Sequence, residues 1–303
     1  MSKIVGIGAC VMDTLVNVPH YPTEDTKLRA DSSKPAGGGP VATGLVAAAK
    51  LGESAGYIGV LSDDAGGNFL MQDFAKYGVD TTGVTVKNGY RSFTSVIWLS
   101  AATTSRTCVF DKGDLPALTL TDEQKALIKA ADLLMVDGNE LDAAVEGAKF
   151  AQANGVKVLY DAGGLYDGVE KLLPHVDYLI PSKEFSLGHT GCNTPEEAAK
   201  KLYDMYHPQV VVITCGKIGG IYYDGNEVVS YPIYPAEVVD SNGAGDVFHG
   251  AYAAGLVKGF DPVTCCHFAS AVSGLKCTGI GARESVPNFE TVKTYLKENG
   301  YEL

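Results

Sequence analysis

The sequence predicts an α/β fold: a mainly parallel central sheet with helices, and a small β-sheet lid outside it. Three observations carry this expectation. Strand-like and helix-like stretches alternate from the N-terminus, the pattern of parallel strands joined by helical crossovers. Beyond residue 130, four short apolar stretches, ADLLMVDG, VKVLYDAG, DYLIPS and VVVITCG, have the near-continuous hydrophobicity of strands covered on both faces. Between residues 90 and 110, in YRSFTSVIWLSAATTSRTCVF, the alternation gives way to Thr, Ser and aromatic residues around a small turn, which reads as a hairpin off the main sheet.

Taken in order, KIVGIGACVMDTLVNV is apolar and β-branched enough for a buried strand ending near Asp13. SKPAGGGPVATGLVAAAKLG supplies a glycine turn, then a helix from Val41 to Lys50 closed by Gly52. SAGYIGVLSDDAGGNFLMQDFAKYGVD reads as strand, acidic turn and amphipathic helix, stopped at Gly78. The hairpin at 90–110 pairs in expectation with TLVNVPHYP, so that 14–36 and 90–112 form the lid. Helical stretches separate the earlier parallel strands, and TPEEAAKKLYDMY precedes the last. GGIYYDGNEVVSYPIYPAEVVD returns to β character, with a hairpin signal at Asp224-Gly225-Asn226, and AGDVFHGAYAAGLVKG and PVTCCHFASAVSGLKC follow as two closely packed helices. No repeat or linker divides the chain, so 1–303 is expected to be a single domain.

Composition narrows the function. Hydrophobic residues make up 46% and charged residues 20%, a globular balance. A net charge of −12 argues against a nucleic-acid or acidic-membrane partner, since phosphate surfaces must be met by Lys and Arg. The seven cysteines form no C-x-x-C pair and no zinc spacing with the six histidines, which is expected of reduced thiols and a cytoplasmic location. The apolar N-terminal stretch is interrupted by glycines and Asp13, well short of the ~20 residues of a membrane span.

The chemistry concentrates in VVDSNGAGDVFHGAYAAGL. A strand running into G-A-G-D and then a helix leaves the first helical amides unpaired at the positive end of the dipole. Glycines let an anion approach those amides, making Gly243, Ala244 and Gly245 a cradle for charge developing on a phosphoryl group. Asp246 would repel that anion unless it has a separate task, and taking a proton from an attacking hydroxyl is such a task. No G-x-x-x-x-G-K-[ST] loop or protein-kinase signature occurs, and GIGACV lacks the third glycine of a dinucleotide fingerprint.

This stretch resembles the D-T-x-G-A-G-D signature of the ribokinase-type carbohydrate kinases, the phosphofructokinase B family. Other family features follow in order: a strand reaching Asp13, the turn at Gly38-Gly39, DDAG from Asp63 to Gly66, TCGKIGG from Thr214 to Gly220, and GARESVPNF near the end. The resemblance implies a ribokinase-like three-layer α/β/α sandwich with a β lid, and an ATP- and Mg2+-dependent kinase acting on a small sugar. It implies that Asp246 is the catalytic base, with the amides of Gly243, Ala244 and Gly245 as the anion hole. Thr214, Gly216 and Gly219 match the loop along ATP, and Asp13, Gly38 and Gly39 match sugar-contacting positions. Asp240, with carbonyls near Asn242, Lys276, Gly279 and Gly281, matches a monovalent-cation site, which makes K+ a candidate cofactor.

Several positions depart from the family pattern. The N-x-x-E linked to Mg2+ and phosphate is PSKEF here, with Ser182 in place of Asn and Glu184 one position early; Glu184 is open between a metal role through water and a plain helix-start acid. Thr43 stands where an Asn often follows the Gly-Gly turn, and Val11 replaces an Asn of ribose-specific members. The sulfofructose kinase branch is the nearest pattern, through VMD, PTE-x-x-K, GGGP-x-AT, GAGDVFHGA and LKCT. There Lys27 matches a lysine on the substrate's anionic end, whereas Asn139 falls at an anion-binding Arg and Phe110 near an Asn. A ketose, neutral or anionic, is therefore the expected substrate, with a nucleoside kinase or a silent sugar-binding regulator as the alternatives. Exposed lid edges predict a homodimer.

Overall fold

The N-terminal stretch divides at Gly8, where the chain leaves one sheet for another. A Cβ at Gly8 would lie 2.3 Å from Asp137 Oδ2, so only glycine passes there. The structure, a computed structural model, describes every residue but Thr104, which falls within the expected lid. In chain order the elements are β1 (Ile4–Ile7), β2 (Val11–Val18), β3 (Ser32–Gly38), α1 (Pro40–Lys50), β4 (Ala55–Ser62), α2 (Ala65–Tyr77), β5 (Asp80–Lys87), β6 (Thr94–Ser100), β7 (Ser105–Asp111) and α3 (Asp122–Lys129). They continue with β8 (Leu133–Asp137), α4 (Leu141–Ala153), β9 (Lys157–Ala162), β10 (Tyr178–Pro181), α5 (Lys183–Thr190), α6 (Pro195–Tyr206), β11 (Val210–Thr214), β12 (Gly220–Tyr223), β13 (Val228–Tyr231), α7 (Ala244–Val257), α8 (Pro262–Lys276) and α9 (Phe289–Glu298).

Among the described residues, β13-β12-β11-β10-β9-β8-β1-β4-β5 form one nine-stranded sheet. Its pairs are parallel from β11 through β5, and the hairpin strands β12 and β13 add an antiparallel edge. Alternate residues of each strand enter opposite cores: Leu133 and Met135 join α1, α2, α7, α8 and α9, while Leu134 and Val136 join α3, α4, α5 and α6. The result is a sheet between two helical layers. The second sheet, β3-β2-β6-β7, has antiparallel outer pairs around a parallel β2–β6 pair and forms the lid.

Two expectations need correction. Asp13 does not end the first strand: it lies inside lid strand β2, whose alternating burial contrasts with the fully buried β1. The lid accordingly takes up residues 11–18 and 32–38 on one side and 94–100 and 105–111 on the other. Strand β5 was not anticipated, because DTTGVTVK is half exposed and too polar to read as a buried parallel strand.

Helix α7 owes its position to small residues. A Cβ at Gly250 would meet Gly44 O at 2.1 Å, so α7 and α1 approach backbone to backbone. This crossing aims the N-terminus of α7 toward the carboxyl ends of β1, β8, β9 and β10, where ligands of open α/β sheets bind.

Candidate active site

Gly243 caps α7 in the left-handed conformation, φ 72°, which favours glycine. The amide of Ala244 donates to Ser241 O at 3.2 Å, and that of Val247 returns to Gly243 O at 2.9 Å. Among the described residues, the Gly245 amide has no acceptor, and a Cβ there would meet nothing within 4 Å. Of the expected cradle, Ala244 spends its N–H within the loop, while among the described residues the amides of Gly243 and Gly245 have no acceptor.

Asp246, in the first turn, is half-buried. Burial pushes its carboxyl above the usual carboxylate range, while His249, Arg106, Arg283 and Lys276 pull it back. His249 lies one turn later. Its Nδ1 is 2.7 Å from Gly245 O and 3.2 Å from Asp161 Oδ2, and its Nε2 is 2.8 Å from Ile180 O. Both nitrogens face backbone carbonyl oxygens, and Nδ1 also faces the Asp161 carboxylate. Burial raises Asp161 in turn, opposed by His249.

Across the cleft, Asp13 accepts from Ser95 Oγ at 2.6 Å, and burial raises its carboxyl to about 6, with the charge of Asp246 adding to the shift. A Cβ at Gly38 would lie 2.0 Å from Asp13 Oδ2, and one at Gly39, φ 94°, would strike Ala9 O at 2.2 Å. These glycines bring bare backbone against a buried carboxylate, a surface able to grip a polyol.

Arg283 locks that turn from behind. Its guanidinium donates to Gly38 O at 2.7 Å, Asp73 Oδ2 at 2.5 Å and Thr43 Oγ1 at 3.3 Å. Thr43, expected at the substrate, is buried on α1, and its hydroxyl accepts from Arg283. Asn139 is similarly drawn inward. Its amide N–H donates to Asp137 Oδ1 at 2.8 Å and its side chain does so at 3.2 Å, while Asp137 also accepts from Ala9 N at 2.9 Å. Lys27 stands exposed in the β2–β3 connection, without a hydrogen-bond partner among the described residues.

On the other flank, Ser182 caps α5 by accepting from Phe185 N at 3.0 Å, and it bridges to Thr214 beyond the parallel strands. Gly216, φ 58°, and Gly219, φ 91°, enclose a single 3-10 turn. A Cβ at Gly219 would meet Tyr231 O at 2.2 Å. Glu184 is exposed at the start of α5, and among the described residues no group of three or more His, Cys, Asp or Glu is ready to hold a metal ion.

The loop before α7 departs most from expectation. Asp240 Oδ1 accepts from Asn242 N and Oδ2 from Gly281 N, both at 2.8 Å. Lys276 Nζ donates to Asp240 O at 2.7 Å and to Asn242 O, and Ser285 Oγ contacts Gly281 O at 3.0 Å and Gly279 O at 3.4 Å. Lys276 thus enters through its ammonium, not through a free carbonyl. Arg283, His249, Asp161 and Asp137 were not assigned from sequence, because each also makes contacts across the sheet: Arg283 with Gly38, His249 with Ile180, Asp161 with His249 and Asp137 with Ala9. The resemblance had already picked out GARESVPNF, the one local pointer to Arg283.

The sequence pattern of the pfkB family carbohydrate kinases matches residues 1–288. A 5-dehydro-2-deoxygluconokinase of Clostridium perfringens is 28% identical over 97% of this chain and 93% of its own length. Ribokinase of Bacillus subtilis is 27% identical over 98% of this chain and all, 100%, of its own. The structure of Arabidopsis thaliana ribokinase complexed with ribose and ATP superposes with a TM-score of 0.87 at 25% identity, covering 98% of this chain and 99% of that one. No helix among the described residues is long and apolar enough to cross a membrane. With a ribokinase-like sandwich and lid, a helix N-terminus presenting glycine amides beside an acid, and a family match over nearly its whole length, this chain belongs to the pfkB family of carbohydrate kinases.

Proposed function

We propose that this kinase transfers the γ-phosphoryl group of ATP to a primary hydroxyl of a small ketose held between Asp13, Gly38 and Asp246 beneath the lid. The observation that carries this reading is the pairing of Asp246 with the unengaged Gly245 amide at the start of α7. The Asp246 carboxylate takes the hydroxyl proton as the sugar oxygen bonds to the γ-phosphorus, and the bond from that phosphorus to the ADP oxygen breaks. The Gly245 amide meets the charge on the transferred group, which is where phosphoryl transfer needs most help. Asp13 accepts from sugar hydroxyls and so orients the attacking one.

ATP lies along Thr214, Gly216 and Gly219 in this reading, with Ser182 beside Thr214. Mg2+ arriving with the triphosphate would neutralise phosphate charge, and Glu184, exposed at the start of α5, would hold it through water. Val11, buried and without a polar atom, supports a ketose over ribose. Arg106 of β7 lines a cavity of about 160 Å3 with Asn17, Asp31 and Ser241, and its charge reaches Asp246, which keeps a sulfonated or phosphorylated ketose in view. The whole chain acts as one catalytic unit, paired with a second copy through the lid.

A coupled ADP-release assay over fructose, tagatose, sulfofructose, fructose phosphates, ribose and nucleosides tests the reading through kcat/KM. A ketose preferred over ribose by about tenfold or more is expected. Preference for ribose or a nucleoside replaces the substrate assignment, and sugar binding without turnover would make the chain a regulator.

A further inference from the structure

A monovalent cation behind the anion-binding loop needs free carbonyl oxygens, and the residues present do not fit one. The carbonyls of Asp240 and Asn242 already accept from the Lys276 ammonium, and those of Gly281 and Gly279 face the Ser285 hydroxyl. Lys276 is fully buried, 0% exposed; burial draws its ammonium below the usual lysine range, and the nearby Asp240 carboxylate opposes that. The Asp240 carboxylate balances that charge nearby, with both oxygens engaged by amides.

We propose that Lys276 is a built-in cation of this loop, and that the kinase consequently works without any added monovalent ion. The ammonium is a compact point charge with three donors, well suited to drawing two carbonyl oxygens to one point. Held this way, the 240–242 backbone keeps its carbonyls turned inward at the entry to α7. The same helix α8 also fastens Ala244, since Ser273 Oγ donates to Ala244 O at 2.8 Å. The docking is continuous with the Val239 and Asp240 amides, which both donate to Cys277 O, at 2.8 and 3.1 Å. Lys276 is therefore a positioning residue: it touches neither sugar nor phosphate, and acts by setting where the Gly245 amide points.

The inference rests on the kinase reading for its consequence, but its test has an arm independent of turnover. Thermal melting of the wild-type protein in potassium, ammonium, sodium and choline chlorides at one ionic strength is expected to give one melting temperature. Lys276→Ala is expected to melt lower in choline and to recover in potassium or ammonium, which can enter the vacated space. In the kinetic arm, wild-type kcat should agree within about twofold across the four salts, while Lys276→Ala loses about 100-fold in kcat with little change in sugar KM and regains activity in ammonium. Should Lys276→Ala not fold, Lys276→Met keeps the packing without the charge and should show the same kcat loss. Wild-type melting or kcat that depends on potassium overturns the proposal, as does a folded Lys276 variant with near-normal kcat. Absence of turnover on every sugar overturns the kinase reading instead, and the melting arm still decides the role of Lys276.

Discussion

Asp13 holds a buried carboxylate where the fold would be better served by a neutral group. Its pKa is raised from the usual carboxylate value to about 6, so the native state binds the proton more tightly than the unfolded chain. The favourable contribution is full below about pH 4 and is lost as pH rises through about 6. Asp13→Asn should consequently be more stable than wild type at pH 7.5, by up to about 3 kcal/mol, with the difference shrinking toward pH 4. The same substitution should raise sugar KM steeply, as should lowering the pH of the wild-type assay below about 6, where Asp13 takes up a proton. Equal melting curves for the two proteins at pH 7.5 would show that Asp13 is not strained by burial. At this scale Gly245 and Asp246 stand out in the sequence because glycine and acid sit together, whereas Asp13, Gly38 and Gly39 stand out only through the family resemblance. Arg283, 245 residues from Gly38, and His249, 69 from Ile180, make their contacts across the sheet, which no local pattern records. Lys276 was singled out, but as a carbonyl, because a sequence does not show whether a lysine's backbone or its ammonium faces a loop.

Among the elements, the α1–α7 crossing ties the sugar side to the phosphate side. Gly44 and Gly250 permit that approach, and Arg283 bonds the N-terminal turn of α1 to α2 through Asp73. Gly250→Ala places a methyl group against backbone that cannot move aside, and is expected to cost about 1–3 kcal/mol while lowering kcat through displacement of α7. Chemical denaturation and kcat measured together check this; a destabilised variant with unchanged kcat would uncouple the crossing from the site. The parallel strands were legible because each is buried on both faces and reads as an apolar run. The break between β1 and β2 was not, since apolar residues continue across Gly8 and only the Asp137 carboxylate from a distant strand makes the separation necessary. For β5 the reason is opposite: an edge strand exposed on one side carries too little hydrophobic signal.

For the whole molecule, the lid presents an open sheet edge to solvent. Every residue of edge strand β7 is exposed, with Val109 and Phe110 at 63% and 61%. Unpaired edge groups beside apolar side chains favour pairing with another strand, and a second copy supplies one. Light scattering should give the mass of a dimer for the wild type and of a monomer for Val109→Lys; a monomeric wild type would contradict lid pairing. The claim on which the rest depends is that one carboxylate on α7 moves the proton. The direct measurement is kcat of Asp246→Asn on the preferred sugar alongside its Kd for ATP. The expected result is a fall in kcat of about 1,000-fold or more, with ATP binding and melting temperature near wild type. A kcat within about tenfold of wild type would contradict the assignment and return the search for the base to the other buried acids of the cleft.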